Sequence, residues 1–298
     1  MKQAVLIVLT ISLCVPFTAC AQQQVDHEFS PKVEQPLYAS GTGPVITVDA
    51  GHYNFHTLAD KYAPFGRVAE ADGFRLRSLE GEVQPGKLED TRILVIANAL
   101  NEKNTEYWRK PVHQAFTPSE IETIVSWVKG GGRLFLIADH MPFAGAVSEL
   151  AAAMGFQFYD GFAMRKPKRK YDQFSTTNGM LKVSELTSLH GRLDSIVSFT
   201  GQAFRISDSA VSVITLDSSF KVLMPEEAWE FNDKMEIIPA EGMSQLAYGR
   251  FGAGKVVIAG EAAMFTAQRV GDVRIGLGSS FAPHNLRLLR NILEWLNK

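Results

Sequence analysis

The sequence predicts an α/β fold: a mainly parallel sheet flanked by helices, with a β-rich insertion or extension in the second half. Two observations predict it. From Val45 onward, short apolar runs typical of buried strands alternate with amphipathic segments typical of helices. Three apolar runs also end on polar residues, in VITVDAGHYNFH, LFLIADH and VVIAGEAAMF. Because parallel strands place their carboxyl ends at one edge of a sheet, where open α/β folds bind ligands, these runs predict a site there.

The elements of the first half follow in a β-α order. Strands are predicted over 45–48, 74–79, 93–97 and 133–138. The first helix buries a face that contains Phe65, Val68 and Ala69. A capping box runs from Thr117 to Glu120, with proline at the first helical position, so a second helix begins there and ends at 130–132. A third helix is expected over 147–154, closed by a glycine.

The second half is less regular. Residues 156–241 contain strand-type runs at 195–204 and 210–216 and are expected to form an insertion or an antiparallel extension of the sheet. Segments 243–248 and 255–259 predict a hairpin. Residues 269–280, which are rich in glycine, predict a mobile flap or a long surface loop. The spacing of Leu286, Leu289, Leu293 and Leu296 predicts a final helix, and the whole of 41–298 is expected to form one domain.

The N-terminal residues predict export and a lipid anchor. Residues 1–19 combine a positive start, an apolar stretch and small residues before a cysteine, as in a signal peptide. The last four residues of this pattern resemble the lipobox of bacterial lipoproteins, which implies lipidation of Cys20. Residues 20–40 are then a lipid-anchored tether. The resemblance places the protein in the cell envelope, on the outer membrane facing the periplasm if the host is Gram-negative; an ordinary secretory peptide is the alternative.

Composition excludes several classes of function. The net charge of −2 provides no field for nucleic acid. The segment from Gly249 to Lys255 nearly matches a phosphate loop, but Val256 replaces the required serine or threonine, so no nucleotide is expected. The only cysteines are Cys14 and Cys20, which leaves the mature domain without a thiol nucleophile. A basic cluster at 165–170 predicts a solvated loop, with contact to lipid headgroups or an anionic polymer as the alternative.

Three passages resemble a known class of domain: FTPSEIETIVSWVKGGGRLFLIADH, FGAGKVVIAGEAAMFTAQ and HNLRLLRNILEWL. They are similar to the class I glutamine-amidotransferase-like domains of bacterial envelope proteins. The sequence is most similar to a family of uncharacterised lipoproteins, which has motifs like DAGHYNFHT, SFTGQAFR and PEEAWEF. The resemblance implies a flavodoxin-like or amidotransferase-like sheet. It does not imply glutamine hydrolysis, because the strand that precedes the nucleophilic cysteine of those enzymes runs here into Asp139-His140-Met141.

Histidines and carboxylates at the strand ends are the candidate functional residues. A general acid/base set would consist of His52, Asp139, His140 and Glu261. A zinc-like divalent metal is the second hypothesis, with ligands drawn from His52, His56, Asp139 and His140. The candidate ligand-binding residues are Asp49, Asn54, His56, Asn98, Trp229 and His284. Alternatively, the aspartates brace loops and the histidines make buried hydrogen bonds.

These observations predict an envelope lipoprotein that binds a small polar ligand, such as a fragment of a cell-wall glycan. Hydrolysis of that ligand would use histidine and carboxylate groups or a metal ion. The alternative is a non-catalytic recognition or scaffold module of a cell-envelope complex. The enzyme is favoured if one solvent-accessible point has within hydrogen-bond or metal-ligand reach at least three of five side chains, those of His52, His56, Asp139, His140 and Glu261.

Overall fold

The computed structural model describes residues 23–167 and 169–298. The predicted signal peptide and Cys20 lie outside these residues. The strands of the described chain are β1 (Gln24–Val25), β2 (Val45–Asp49), β3 (Arg75–Leu79), β4 (Thr91–Ala97), β5 (Arg133–Ile137), β6 (Phe156–Phe158), β7 (Phe162–Arg165), β8 (Asp172–Ser175), β9 (Ser195–Ser198), β10 (Phe204–Ile206), β11 (Ala210–Thr215), β12 (Phe220–Met224), β13 (Glu236–Pro239), β14 (Ser244–Phe251), β15 (Gly254–Ala259), β16 (Ala267–Val270) and β17 (Val273–Gly276). The helices are α1 (Ala63–Ala71), α2 (Pro118–Lys129), α3 (Phe143–Ala146), α4 (Ser148–Ala153), α5 (Glu185–Ser188) and α6 (Asn285–Asn297). None of these helices has the length and apolar character that crossing a membrane requires.

One half of the large central sheet is parallel, as predicted. Its strands lie in the order β3-β2-β4-β5-β15, and every neighbouring pair is parallel. All five side chains of β5 are buried, which is why the strand is apolar after Arg133. Ala97, Ile137 and Ala259 are aligned across β4, β5 and β15. The polar residues that follow these strands therefore leave the sheet along one edge.

The other half of the sheet is antiparallel. The predicted hairpin is confirmed as β14 and β15, and beyond it β14 pairs with β10 and β11 while β6 pairs with β10. Part of 156–241 thus extends the sheet. The strand predicted over 195–204 is in fact two strands, β9 and β10, because the chain between them crosses the end of β15 closely: a Cβ on Gly201 would lie 2.0 Å from the Gly260 oxygen.

Three smaller sheets complete the part of the chain that the structure describes. They are β7-β12-β13, β8-β9 and β1-β16-β17. The prediction of a long surface loop over 269–280 is therefore wrong for its first part, where β16 and β17 form an antiparallel hairpin that turns at Gly271 with a φ of +57°. The sequence pattern indicated a loop because both strands are short and of mixed polarity, and because a glycine lies in the turn between them.

The helices confirm the capping and periodicity signals. In α2 the Thr117 hydroxyl accepts from the Glu120 amide while the Glu120 carboxylate accepts from the Thr117 amide, so the capping box is complete. The final helix is α6, and its leucines at 288, 289, 293 and 296 are buried against the sheet. The helix predicted over 147–154 is present as the slightly shorter α4, and α3 is a separate helical turn that precedes it.

The N-terminal described residues pack on the domain. Strand β1 pairs with β16, and the Asp26 carboxylate is buried beside the Arg274 guanidinium at 3.2 Å. Further along, the Arg290 guanidinium donates to the Gln35 carbonyl at 2.7 Å. Much of the segment predicted to be a tether is thus attached to the α/β domain.

Candidate functional site

A cavity of about 300 Å³ lies at the carboxyl edge of the parallel strands. The loops that follow β2, β4, β5 and β15 surround it, and these strands are neighbours in the sheet. Its walls combine aromatic rings with ionisable side chains. The lining residues are Gln23, Phe55, His56, Lys61, Trp108, Asp139, His140, Phe143, Phe199, Thr200, Trp229, Glu261 and Ala263.

Asp139 follows β5 and is held by donors on both carboxylate oxygens. The Asn98 amide Nδ2 donates to Oδ2 at 2.8 Å, and the Ala262 backbone amide donates to Oδ1. In return, the Asp139 backbone amide donates to the Asn98 Oδ1 atom at 2.8 Å. Burial raises the pKa of Asp139 to about 7, although both hydrogen bonds oppose that shift. The group can therefore exchange a proton near neutral pH.

Glu261 follows β15, and its carboxylate accepts hydrogen bonds from the backbone of the turn that comes directly after it in the chain. Its Oε1 accepts from the Ala263 amide at 2.9 Å, and its Oε2 accepts from the Met264 amide at 2.8 Å. Burial, together with the charge of Asp139, raises the pKa of Glu261 well above its ordinary value. Two buried carboxyl groups that repel each other in this way share at least one proton near neutral pH.

His140 is a neutral imidazole with one nitrogen unoccupied. Its Nδ1–H donates to the Met141 carbonyl at 2.6 Å, and Nε2 has no hydrogen-bond partner among residues 23–167 and 169–298. Burial lowers the pKa of His140 to about 4, so Nε2 carries a lone pair at neutral pH. The ring stacks on Phe162 with centroids 4.4 Å apart.

His56 is also neutral, but both of its nitrogens are engaged. The Asn98 Nδ2 atom donates to His56 Nδ1 at 3.1 Å, which places the ring proton on Nε2. The amide of Gln268 lies 3.4 Å from that Nε2, and its oxygen accepts the proton when the amide is turned towards it. Burial, with a smaller effect from Lys61, lowers the pKa of His56 to about 3.

Aromatic rings form the rest of the wall. Trp108 contacts Phe143 with centroids 5.0 Å apart and Phe55 with centroids 5.5 Å apart. Trp229 packs edge-on to His140 at 4.7 Å, yet 47% of its surface is exposed. Its φ of +72° is unusual for a bulky residue, and such strain is concentrated at functional sites. A half-exposed indole at the mouth of a polar cavity suits stacking on a ligand ring.

A second cluster holds three of the predicted residues away from this cavity. The His52 Nδ1 atom lies 2.9 Å from the Asp49 carboxylate, and its Nε2 lies 2.8 Å from Glu120. The Asn54 amide donates to Asp49 at 2.9 Å. Burial lowers the pKa of His52, but the hydrogen bonds and charges of the two carboxylates outweigh that effect and raise it above its ordinary value. His52 is therefore an internal ion-pair partner that links β2 to the start of α2.

The remaining predicted residues do not add to the cavity. His284 precedes α6 and directs Nδ1 to the Ser195 carbonyl at 3.0 Å. No group of three or more histidine, aspartate or glutamate side chains in the described part of the chain is arranged to hold a metal ion. The set of His52, His56, Asp139 and His140 does not fit one, because both nitrogens of His52 and of His56 are already bonded.

Sequence reasoning missed several residues of the site. Lys61 and Phe143 line the cavity, and Glu120 completes the second cluster. A signal for Glu120 was present, since its carboxylate has two oxygens and the capping box uses only one of them. Lys61 and Phe143 follow the strand ends by several residues, and nothing in their local pattern separates them from core or surface residues.

Comparisons with known proteins bear on the fold. A scan against models of protein families found no match, and no curated protein matches the sequence. Among solved structures, the one titled mmIFT52 N-terminal domain has a TM-score of 0.61 at 15% identity and covers 85% of this chain and 97% of that chain. At this identity the likeness shows a shared fold alone.

Other structural neighbours include ThuA-like proteins. The one from Bacteroides uniformis ATCC 8492 has a TM-score of 0.48 at 9% identity and covers 90% of this chain and 94% of that chain. The one from Parabacteroides merdae ATCC 43184 has a TM-score of 0.47 at 9% identity and covers 86% of this chain and 91% of that chain. Both likenesses are too distant to carry an argument.

Proposed function

We propose that the cavity binds a small, uncharged polyhydroxy ligand, such as a sugar unit of an envelope glycan. The observation that carries the proposal is the combination of indole rings with hydrogen-bonding groups that are largely neutral at neutral pH. His56 and His140 are uncharged, and the Asp139–Glu261 pair holds at least one proton. Sugars present both hydroxyl groups and apolar C–H faces, so they suit such a wall.

Charge at the cavity agrees with this class of ligand. The only cationic side chain among the lining residues is Lys61, whose Nζ lies 2.8 Å from the Asp60 carboxylate and 4.1 Å from the centroid of the Phe55 ring. An anionic ligand would therefore meet a carboxyl pair with little compensating positive charge.

A glycan array tests the proposal with the full chain and two tryptophan variants. We expect binding to at least one neutral glycan, lost in Trp229→Leu because the stacking surface is removed. The Trp127→Leu variant is the matched control, since Trp127 lies on α2 and packs against Gly132, away from the cavity. Failure of the chain to bind any neutral glycan would reject the proposal, as would equal binding by the two variants.

Hydrolysis is the second candidate function, favoured by Asp139 and His140. Asp139 with a pKa of about 7 is suited to donate a proton to a leaving group, and the free Nε2 of His140, whose pKa is about 4, can orient a water molecule by accepting a hydrogen bond from it. Asp139→Asn should then abolish turnover of a bound glycan while leaving its affinity within a few-fold. A variant that binds and still cleaves would remove Asp139 from the mechanism and leave the non-catalytic recognition module as the surviving account.

The cellular setting is also proposed. The signal-peptide pattern and Cys20 support an envelope lipoprotein, and the motifs around Asp49, Glu261 and Trp229 support kinship with lipoproteins that contain a class I glutamine-amidotransferase-like domain. Kinship of this sort implies no glutaminase activity here, because no cysteine follows β5.

A further inference from the structure

A second cavity, of about 210 Å³, lies beside the candidate site and shares a wall with it. Gln23, Phe199 and Thr200 line both cavities. The rest of the second cavity is mainly apolar, and it includes the stacked rings of Tyr171 and Phe281, whose centroids are 5.1 Å apart. We call the surface around the two cavities the cavity face, and define it by Gln23, Lys170, Thr200, Trp229 and Phe281.

The start of the described chain lies on this face. Gln23 lines both cavities, and the next two residues are fixed by pairing Gln24 with Arg269 and Val25 with Gln268. Cys20 precedes Gln23 by three residues. Even fully extended, that length of chain spans at most roughly 11 Å. If Cys20 is acylated and lies at the lipid surface, Gln23 on the cavity face is therefore held within roughly 11 Å of that surface.

Around the second cavity, the charged and apolar side chains are complementary to an anionic bilayer, and the exposed carboxylates of Glu226, Glu227 and Glu230 lie on the Trp229 side of the face. Lys166, Arg169 and Lys170 are exposed in the loop after β7, and Lys170 also lines the second cavity. Phe281 is 38% exposed next to it. Basic side chains beside exposed aromatic rings are the combination that binds anionic lipid surfaces, because the charges meet the headgroups and the rings enter the interface.

We propose that the cavity face docks on an anionic membrane surface, with the acyl chains of Cys20 holding it there. The proposal rests on the lipidation of Cys20 and does not depend on the identity of the ligand. The short reach from Cys20 to Gln23 replaces the long tether expected from the polar composition of 20–40. Both cavities then open towards the bilayer, so a ligand carried by a lipid would reach the site without leaving the membrane.

Depth-dependent fluorescence quenching tests this orientation in the full chain, processed in cells and reconstituted into vesicles of phosphatidylethanolamine and phosphatidylglycerol. A nitrobenzoxadiazole label is attached to Phe281→Cys, and in a matched control to Lys129→Cys. Lys129 ends α2 just before β5 begins, at the opposite edge of the sheet. Because thioether lipidation consumes the Cys20 thiol, the introduced cysteine is the only reactive thiol of the processed chain.

We expect headgroup-labelled nitroxide lipids to quench the label at 281 and to leave the label at 129 unaffected. Replacing Lys166, Arg169 and Lys170 with alanine should lower the ratio of docked to undocked protein on the order of 100-fold. Equal quenching at the two positions would overturn the proposal. An unchanged signal in the triple variant would do the same, and so would mass spectrometry showing Cys20 without acyl chains.

Discussion

At the scale of single residues, Asn98 is the centre of the hydrogen-bond network of the cavity. Its amide nitrogen donates to both Asp139 and His56, and its amide oxygen accepts from the Asp139 backbone. The residue is fully buried with a φ of +49°, a conformation that asparagine adopts more readily than most residues. One side chain thus fixes the orientation of Asp139 and the tautomer of His56.

Asn98→Ala should lower the free energy of unfolding by about 3 kcal/mol, because three buried polar groups lose their partner. Urea denaturation of the variant measures this. Asn232→Ala is the control, since Asn232 is exposed in a turn, and it should change the free energy by less than about 0.5 kcal/mol. Similar values for the two variants would show that the amide of Asn98 does not organise the cavity.

His52 makes the stability of the domain depend on pH. Its folded-state pKa is raised above 6.5, so its contribution is fully present below about 6.5 and is lost as pH rises through the folded value. The pKa of Glu120 is lowered: burial raises it, but hydrogen bonds from Thr117, Val83 and His52 outweigh that effect. The contribution of Glu120 is therefore present above about 4.5 and is lost as pH falls through its folded value.

His52→Gln should accordingly cost about 3 kcal/mol of unfolding free energy at pH 5.5, where the wild-type imidazolium joins two carboxylates. The cost should be smaller at pH 9, because a rise in pH towards and through the raised folded-state pKa removes the ring proton. Guanidinium denaturation of both proteins at both pH values measures the difference. His27→Gln, at an exposed position, should show no such dependence. A cost for His52→Gln that does not vary with pH would contradict the ion-pair account.

At the scale of elements, the β16–β17 hairpin supports the floor of the cavity. Gly276 at its end lies against the turn that contains Ala263: a Cβ there would be 1.9 Å from the Thr266 oxygen and 2.2 Å from the Ala263 oxygen. Gly271 at the tip of the same hairpin also has a positive φ, but nothing lies within 4 Å of its Cβ position. Alanine substitutions at the two glycines therefore distinguish the cost of backbone strain alone from the cost of strain combined with a steric clash.

Gly271→Ala should therefore cost about 1 kcal/mol of unfolding free energy, the strain of a left-handed residue alone. Gly276→Ala should cost more than about 3 kcal/mol, because a steric clash is added to the same strain. Thermal and urea unfolding of the pair measure both. Equal costs would mean that the hairpin does not press on the turn after β15.

The sequence predicted best the elements whose signals are local. The parallel strands, the capping box at Thr117 and the final leucine helix needed only short-range patterns, and all three are present. The β16–β17 hairpin was not predicted, since its strands are short and of mixed polarity. Of the candidate site, the edge of the sheet was predictable from strand order. The pairing of His52 with Glu120 was not, because 68 residues separate the two.

At the scale of the whole molecule, the cavity lies where two parts of the chain meet. The parallel strands supply Asp139 and Glu261, and the β7-β12-β13 lobe with its adjoining loop supplies Phe162 and Trp229. Phe162 of β7 lies opposite Leu223 of β12, and backbone hydrogen bonds between these antiparallel strands hold the lobe together. No local pattern predicts that this lobe covers the edge of the sheet. The lobe packs on His140 through Phe162 and Trp229, next to the carboxyl pair, whose raised pKa values are caused mainly by burial.

The measurement that tests this account most directly is a carbon-13 NMR titration of the aspartate carboxyl groups in the full chain, with Asp139→Asn for assignment. We predict one carboxyl resonance with a midpoint near pH 7, absent in the variant, because burial raises the pKa of Asp139 to about 7. If the Asp139 resonance titrated at the ordinary pH of an exposed aspartate, near 4, the cavity would carry the negative charge of Asp139 at neutral pH. The proposal of a neutral, sugar-binding site would then be contradicted.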